Sequence, residues 1–196
     1  MSLKLTQPDD LIDAFEPVVR AFRELGIRHF IGGSIASSFH GATRSTMDVD
    51  VVCDLTESQV VPFVSRFNAD FYVSQTAVEN AVRNKSCFNL IHLPTAFKVD
   101  VFVSRGRPFD KDSMRRATQE RIGTTRTLEV PIATAEDSIV SKLEWYRPTE
   151  ETSERQWNDV TRLVRLLGDH LDITYLRHAS DAVGVRNLLD RLLSQT

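Results

Sequence analysis

Cysteine is scarce in this chain and histidine unorganised, with two and five copies among 196 residues. Cys53 and Cys87 sit in strand-like apolar runs, which reads as two buried thiols, and neither has a metal-ligand or redox spacing. His29, His40, His92, His170 and His178 show no ligand spacing either, so no zinc site follows. No apolar stretch approaches membrane-spanning length. The N-terminus, with Asp9, Asp10 and Asp13, lacks a signal-peptide pattern, so the expectation is a cytoplasmic protein with no membrane partner. A net charge of −3 gives no global drive toward nucleic acid. What is present, 41% hydrophobic and 8% aromatic residues, suffices for a sizeable core in one domain or in a domain with a helical extension.

The most informative residues are Asp48-Val-Asp50-Val-Val-Cys53. Successive strand side chains point to opposite faces, so Asp48 and Asp50 share one face while Val49, Val51 and Cys53 share the other. Two like charges this close repel unless a cation or proton sits between them. Oxygen-only ligands suit Mg²⁺ or Mn²⁺. Upstream, Arg28-His-Phe-Ile31 predicts a short strand, and Gly32-Gly33 a tight turn that lets a ligand approach before a helix starting near Ser34. A helix start of that kind, with the Ser34 hydroxyl, suits a phosphate. Ile35, Ala36, Phe39 and the break at Gly41 predict about two helical turns, after which 42–46 returns to the sheet.

A second alternating run, Phe97-Lys-Val-Asp100-Val-Phe-Val103, sets Phe97, Val99, Val101 and Val103 against Lys98, Asp100 and Phe102. If it pairs beside the first strand, Asp100 joins Asp48 and Asp50. Three carboxylates suffice for a two-metal phosphoryl-transfer site, with Asp100 nearest the nucleophile or acting as general base. Arg44, four residues before the pair, reads either as a cation that neutralises a phosphate or clamps the carboxylates or as an ordinary loop-surface group, and Thr46 as bonding backbone, the simpler reading, or phosphate. Asp54 shares the face of the pair but ends the strand, just before the capping box Thr56–Gln59, and reads as structural.

The string Ile31-Gly-Gly-Ser-Ile-Ala, Gly41-Ala-Thr-Arg44-Ser-Thr46-Met-Asp48-Val-Asp50, with a later strand aspartate, resembles the DNA polymerase β-type nucleotidyltransferase superfamily. Within it, the string most resembles the AbiEii-like branch, which includes abortive-infection toxins. The resemblance spans roughly residues 28 to 104. It implies an NTP donor, Mg²⁺ or Mn²⁺ on Asp48, Asp50 and Asp100, and phosphate contacts at Gly32, Gly33 and Ser34. It also implies that Lys142, in the helix expected over 135–146, reaches the triphosphate, and that Asp159 on the following helix orients that lysine or the acceptor. The acceptor class is left open among RNA, protein and small molecule, as is a toxin or antitoxin partner.

The expected fold class is α+β: a nucleotidyltransferase-like mixed β-sheet flanked by helices, with a helical C-terminal part. The expected domains are a catalytic core over 1–133 and a helical extension over 134–196 packed on it, with 148–153 as linker. An amphipathic helix over 9–25 carries Leu11, Phe15, Val18, Phe22 and Leu25, and Pro17 is expected to kink or divide it. Strands are expected near 28–31, 48–54, 71–73, 86–93, 97–103 and 127–133. Helices are expected over 57–67, 76–84, 135–146, 153–168, 172–182 and 185–194. Residues 105–126 carry Arg105, Arg107, Lys111, Arg115, Arg116, Arg121 and Arg126, either a basic wall for RNA or triphosphate or, by the simpler reading, a solvated helical face. Two further functions stay open: a catalytically weak nucleotide sensor or toxin–antitoxin module, and an antibiotic nucleotidyltransferase.

Overall fold

The computed structural model describes residues 9–41, 48–147 and 153–196. In chain order its elements are α1 (Asp10–Glu24), β1 (His29–Ile31), α2 (Gly33–Phe39), β2 (Asp48–Cys53), α3 (Val60–Val64), β3 (Phe71–Tyr72), α4 (Gln75–Asn84), β4 (Cys87–His92) and β5 (Phe97–Val103). They continue with α5 (Pro108–Arg116), β6 (Thr118–Ile122), β7 (Leu128–Ile132), α6 (Ala135–Tyr146), α7 (Glu154–Leu167), α8 (Ile173–Ala182) and α9 (Arg186–Ser194). This is the expected α+β class, a seven-stranded mixed sheet with helices. None of the described helices is long and apolar enough to cross a membrane.

The chain divides into two units, each assembled from separated segments. The first holds the sheet, built from the chain up to residue 31, the stretch to Arg105 that includes β2, and Thr118–Ile132. Strand order is β3-β4-β5-β2-β1-β7-β6. β2 and β5 run parallel, as do β1 and β7, while the other neighbours are antiparallel. Alternation decides the faces. Val49, Val51, Cys53, Phe97, Val99, Val101 and Val103 are all buried, and Phe15 and Phe22 of α1 and Phe63 of α3 are wholly buried with them, Phe22 and Phe63 stacking at 5.1 Å.

Pro17 does not divide α1, which runs unbroken over 15 residues. Ala14, Phe15, Val18 and Val19 on both sides of it are buried, and that packing outweighs the hydrogen bond Pro17 cannot donate. The helix expected over 57–67 is shorter, a 3₁₀ turn over Glu57–Gln59 leading into α3, and it does open on the Thr56–Gln59 capping box. Cys87 corrects the reading of two buried thiols: Cys53 is buried and Cys87 exposed. It stands on the half-polar face of β4, with Asn89, whereas Cys53 points into the core, where burial pushes its thiol up to about 12.

The turn from β6 to β7 is tied to α1. The Arg126 N–H donates to Asp9 Oδ1 at 3.1 Å, and its guanidinium pairs with Asp13 and Glu16. Gly123 opens this turn at φ +102°, and an added Cβ would lie 2.1 Å from the Arg126 carbonyl oxygen and 3.0 Å from Ile12 Cδ1. Gly123→Ala is therefore expected to destabilise by about 2–4 kcal/mol, because backbone must move as well as φ. Denaturant melts of the variant against the parent check this, and an unchanged midpoint would refute it.

The second unit is helical and gathers α2 and α5 with α6 to α9. Its core is aliphatic, with Ile139, Leu143, Leu163, Leu176, Leu188, Leu189 and Leu192 at 1% exposure or less. One acid is buried in it. Asp137 accepts hydrogen bonds from Thr134 Oγ1 at 2.9 Å and Tyr175 Oη at 2.6 Å and faces Arg116 Nε at 3.5 Å, while burial raises its pKa. These bonds join α6, α8 and α5 through one carboxylate.

Candidate functional site

In the sheet unit, β2 and β5 pair in parallel with Asp48 opposite Lys98 and Asp50 opposite Asp100. Residues in register on adjacent strands share a face. Asp48, Asp50 and Asp100 therefore stand on one face, each half-buried, and the strand pairing supplies what the sequence left conditional. On the far side of β5, Asn89 is opposite Asp100 and Ile91 opposite Lys98, so the exposed Asn89 amide extends the same face. Asp54 lies beyond the strand end, its N–H bonded to the Arg28 carbonyl at 3.0 Å and its carboxylate paired with Arg28, which agrees with a structural role.

Lys98 is the residue to which the sequence reading assigned no role. Its Nζ lies 2.7 Å from Asp100 Oδ2. Its pKa is raised, first by that hydrogen bond, against some desolvation, and then by the charges of Asp100, Asp48 and Asp50. Parity was the available signal: a lysine two residues before a strand aspartate must share its face. Among the described residues, no three His, Cys, Asp or Glu side chains converge closely enough to hold a metal ion. The donor set still fits a hard divalent cation, being all oxygen and already drawing an ammonium to it.

The helical unit carries the other candidates. Gly32 caps α2 and Gly33 has φ +55°, a left-handed conformation that glycine adopts without strain. The helix thus starts at Gly33, one residue before the expected Ser34, and the Ser37 hydroxyl donates to the Gly33 carbonyl at 3.0 Å. Ser34 is buried. Lys142 on α6 pairs with Asp159 on α7 at 2.9 Å, their side chains 12% and 17% exposed. Arg44 and Thr46 lie outside the described residues.

The basic stretch over 105–126 is not an open wall. Arg107 pairs with Asp110 and Glu144, Arg115 with Asp112, Arg116 with Glu136 and Asp137, Arg121 with Glu129, and Arg126 with Asp13 and Glu16. At least five of its seven cations are thus balanced within the protein, leaving little net field for a polyanion.

The seven-stranded mixed sheet with its flanking helices is a nucleotidyltransferase-like fold. Among solved structures, the chain is similar to the antibiotic-resistance factor ANT(2'')-Ia in solution, at 12% identity and TM-score 0.52, over 97% of this chain and 100% of that one. It is similar also to ANT(2'')-Ia in complex with adenylyl-2''-tobramycin, at 12% identity and TM-score 0.53, over 90% of this chain and 98% of that one. An antigenic nucleotidyltransferase-like protein from Paracoccidioides brasiliensis aligns at 17% identity and TM-score 0.53, over 97% of this chain and 94% of that one. No family model and no curated protein matches the chain.

Proposed function

We propose that the protein is a metal-dependent nucleotidyltransferase that moves a nucleoside monophosphate from an NTP to an acceptor hydroxyl or phosphate. The observation that carries this reading is the in-register pair Asp50 and Asp100 on adjacent parallel strands, with Asp48 on the same face of a nucleotidyltransferase-like sheet. Asp48, Asp50 and Asp100 would hold Mg²⁺ or Mn²⁺, which when bound lowers the pKa of the attacking hydroxyl and offsets charge on the leaving pyrophosphate. Asp100 is also the base candidate for the acceptor proton. Gly32, Gly33 and Ser34 would cradle the β- and γ-phosphates, with Arg44 and Lys142 as further phosphate cations, Thr46 beside them and Asp159 orienting Lys142. The AbiEii-like string supports a place in a toxin–antitoxin or defence system in the cytoplasm.

A second reading has its own observation. The Lys98–Asp100 ion pair occupies one of the three carboxylates, as suits a nucleotide sensor or partner module with little turnover. A small-molecule acceptor is favoured by the adenylyl-2''-tobramycin complex of the ANT(2'')-Ia neighbour. The test incubates purified protein with α-labelled NTPs and Mg²⁺, alone, with cell extract, or with an aminoglycoside. Label transfer with pyrophosphate release, lost on chelation, is expected. NTP binding without release in every arm would overturn the transferase in favour of the sensor, and release only with drug identifies the acceptor.

A further inference from the structure

Lys98 stands where a cation belongs. Asp48, Asp50, Lys98 and Asp100 form one block of the β2–β5 register, Asp48 opposite Lys98 and Asp50 opposite Asp100. Adjacent strands are about 4.8 Å apart and same-face neighbours along a strand about 6.6 Å, so a lysine stem reaches each of the three acids. The ammonium holds Asp100 Oδ2 at 2.7 Å, yet the Lys98 side chain is 42% exposed against 17% for Asp100. An ion pair so open, on a flexible four-carbon stem, breaks readily, and the ammonium can leave the oxygen without being trapped.

We propose that Lys98 is a resident cation that gates this carboxylate cluster: it holds Asp100 when no divalent metal is bound, and a metal ion arriving at Asp50 and Asp100 displaces it toward the phosphates of the donor. The proposal rests on the nucleotidyltransferase reading of the same face. Metal and ammonium compete for Asp100, so the cluster binds metal weakly by itself. A bound NTP gives the displaced ammonium new oxygens to meet, and so strengthens metal binding. By linkage, metal strengthens NTP binding by the same factor. The two ligands are favoured together, and metal alone binds weakly.

The test is a Mn²⁺ titration followed by electron paramagnetic resonance of the free ion, with and without a non-hydrolysable NTP analogue. It compares the parent protein, Lys98→Met, Lys98→Ala and Asp50→Asn, with circular dichroism to show that each is folded. Without nucleotide, both Lys98 variants are expected to bind Mn²⁺ about five- to ten-fold more tightly than the parent, since a cation beside the ligand oxygen is gone. The enhancement that nucleotide gives the parent is expected to shrink in both. Unchanged or weaker Mn²⁺ binding in the Lys98 variants, with binding lost in Asp50→Asn, overturns the gate and leaves the metal site standing. Parent-like Mn²⁺ affinity in Asp50→Asn, or no binding in any protein, overturns the site and the gate with it.

Discussion

Asp50→Asn is expected to lower nucleotidyl transfer by about a thousand-fold or more while leaving the protein as stable as its parent. Asp50 faces Asp100 across a parallel strand pair and lies two residues from Asp48, so under the proposed mechanism its charge is one that a bridging ion would need. A neutral amide is a poor ligand for Mg²⁺, and losing a shared metal ligand removes transition-state stabilisation that the other residues cannot replace. Stability is expected to change little. The side chain is only half-buried and asparagine keeps its shape. Asp48→Asn is expected to behave alike. Asp54→Asn is the contrast: it loosens an ion pair with Arg28 and leaves turnover intact. Labelled NTP incorporation and thermal melts of the three variants decide the matter, and full activity in Asp50→Asn would sink the mechanism.

The second large effect falls on stability. Lys142 and Asp159 make an ion pair with both side chains mostly buried, joining α6 to α7. Lys142→Met leaves the Asp159 carboxylate desolvated and without its ammonium, a loss expected to cost about 2–4 kcal/mol. Asp159→Leu strands the ammonium in turn. The double variant Lys142→Met with Asp159→Leu is expected to recover most of the loss, because removing both charges removes the need to solvate either. Urea midpoints for the four proteins measure this, and strictly additive losses would refute it. The affinity for NTP separates the two roles of Lys142: if the lysine also meets the triphosphate, the double variant regains stability and still binds NTP weakly.

Alternation was the strongest signal in the chain because it has a single cause, the two-sided strand. β2 and β5 bury every residue that the pattern assigned to the core, and the acid face follows. β6 carries no such signal. Thr118-Gln-Glu-Arg-Ile122 is an edge strand held by its pairing with β7, and with one side chain buried it has no period to read. The stretch holding α5 was legible as a helical face but not in what balances its charge: the acids that pair with its arginines come partly from distant segments, Glu144 for Arg107 and Glu136 with Asp137 for Arg116. Pairings between residues twenty or more apart leave no local trace. The Lys98–Asp100 contact was within reach of the residue pattern, since both stand on one face of β5, whereas setting Lys98 opposite Asp48 needed the register of β5 against β2.

Cys87 makes the carboxylate face measurable without redesign. The chain has two cysteines, and Cys53 is sealed in the core away from reagents, with burial also raising its thiol pKa. A thiol-directed fluorophore or spin label added to the native protein will therefore settle on β4 at Cys87, two positions along the strand from Asn89, which lies opposite Asp100. That attachment point is within about 10 Å of Asp100 by strand geometry. A paramagnetic ion bound there would quench or broaden the label steeply with distance, turning an unmodified sequence into its own reporter of what enters the site.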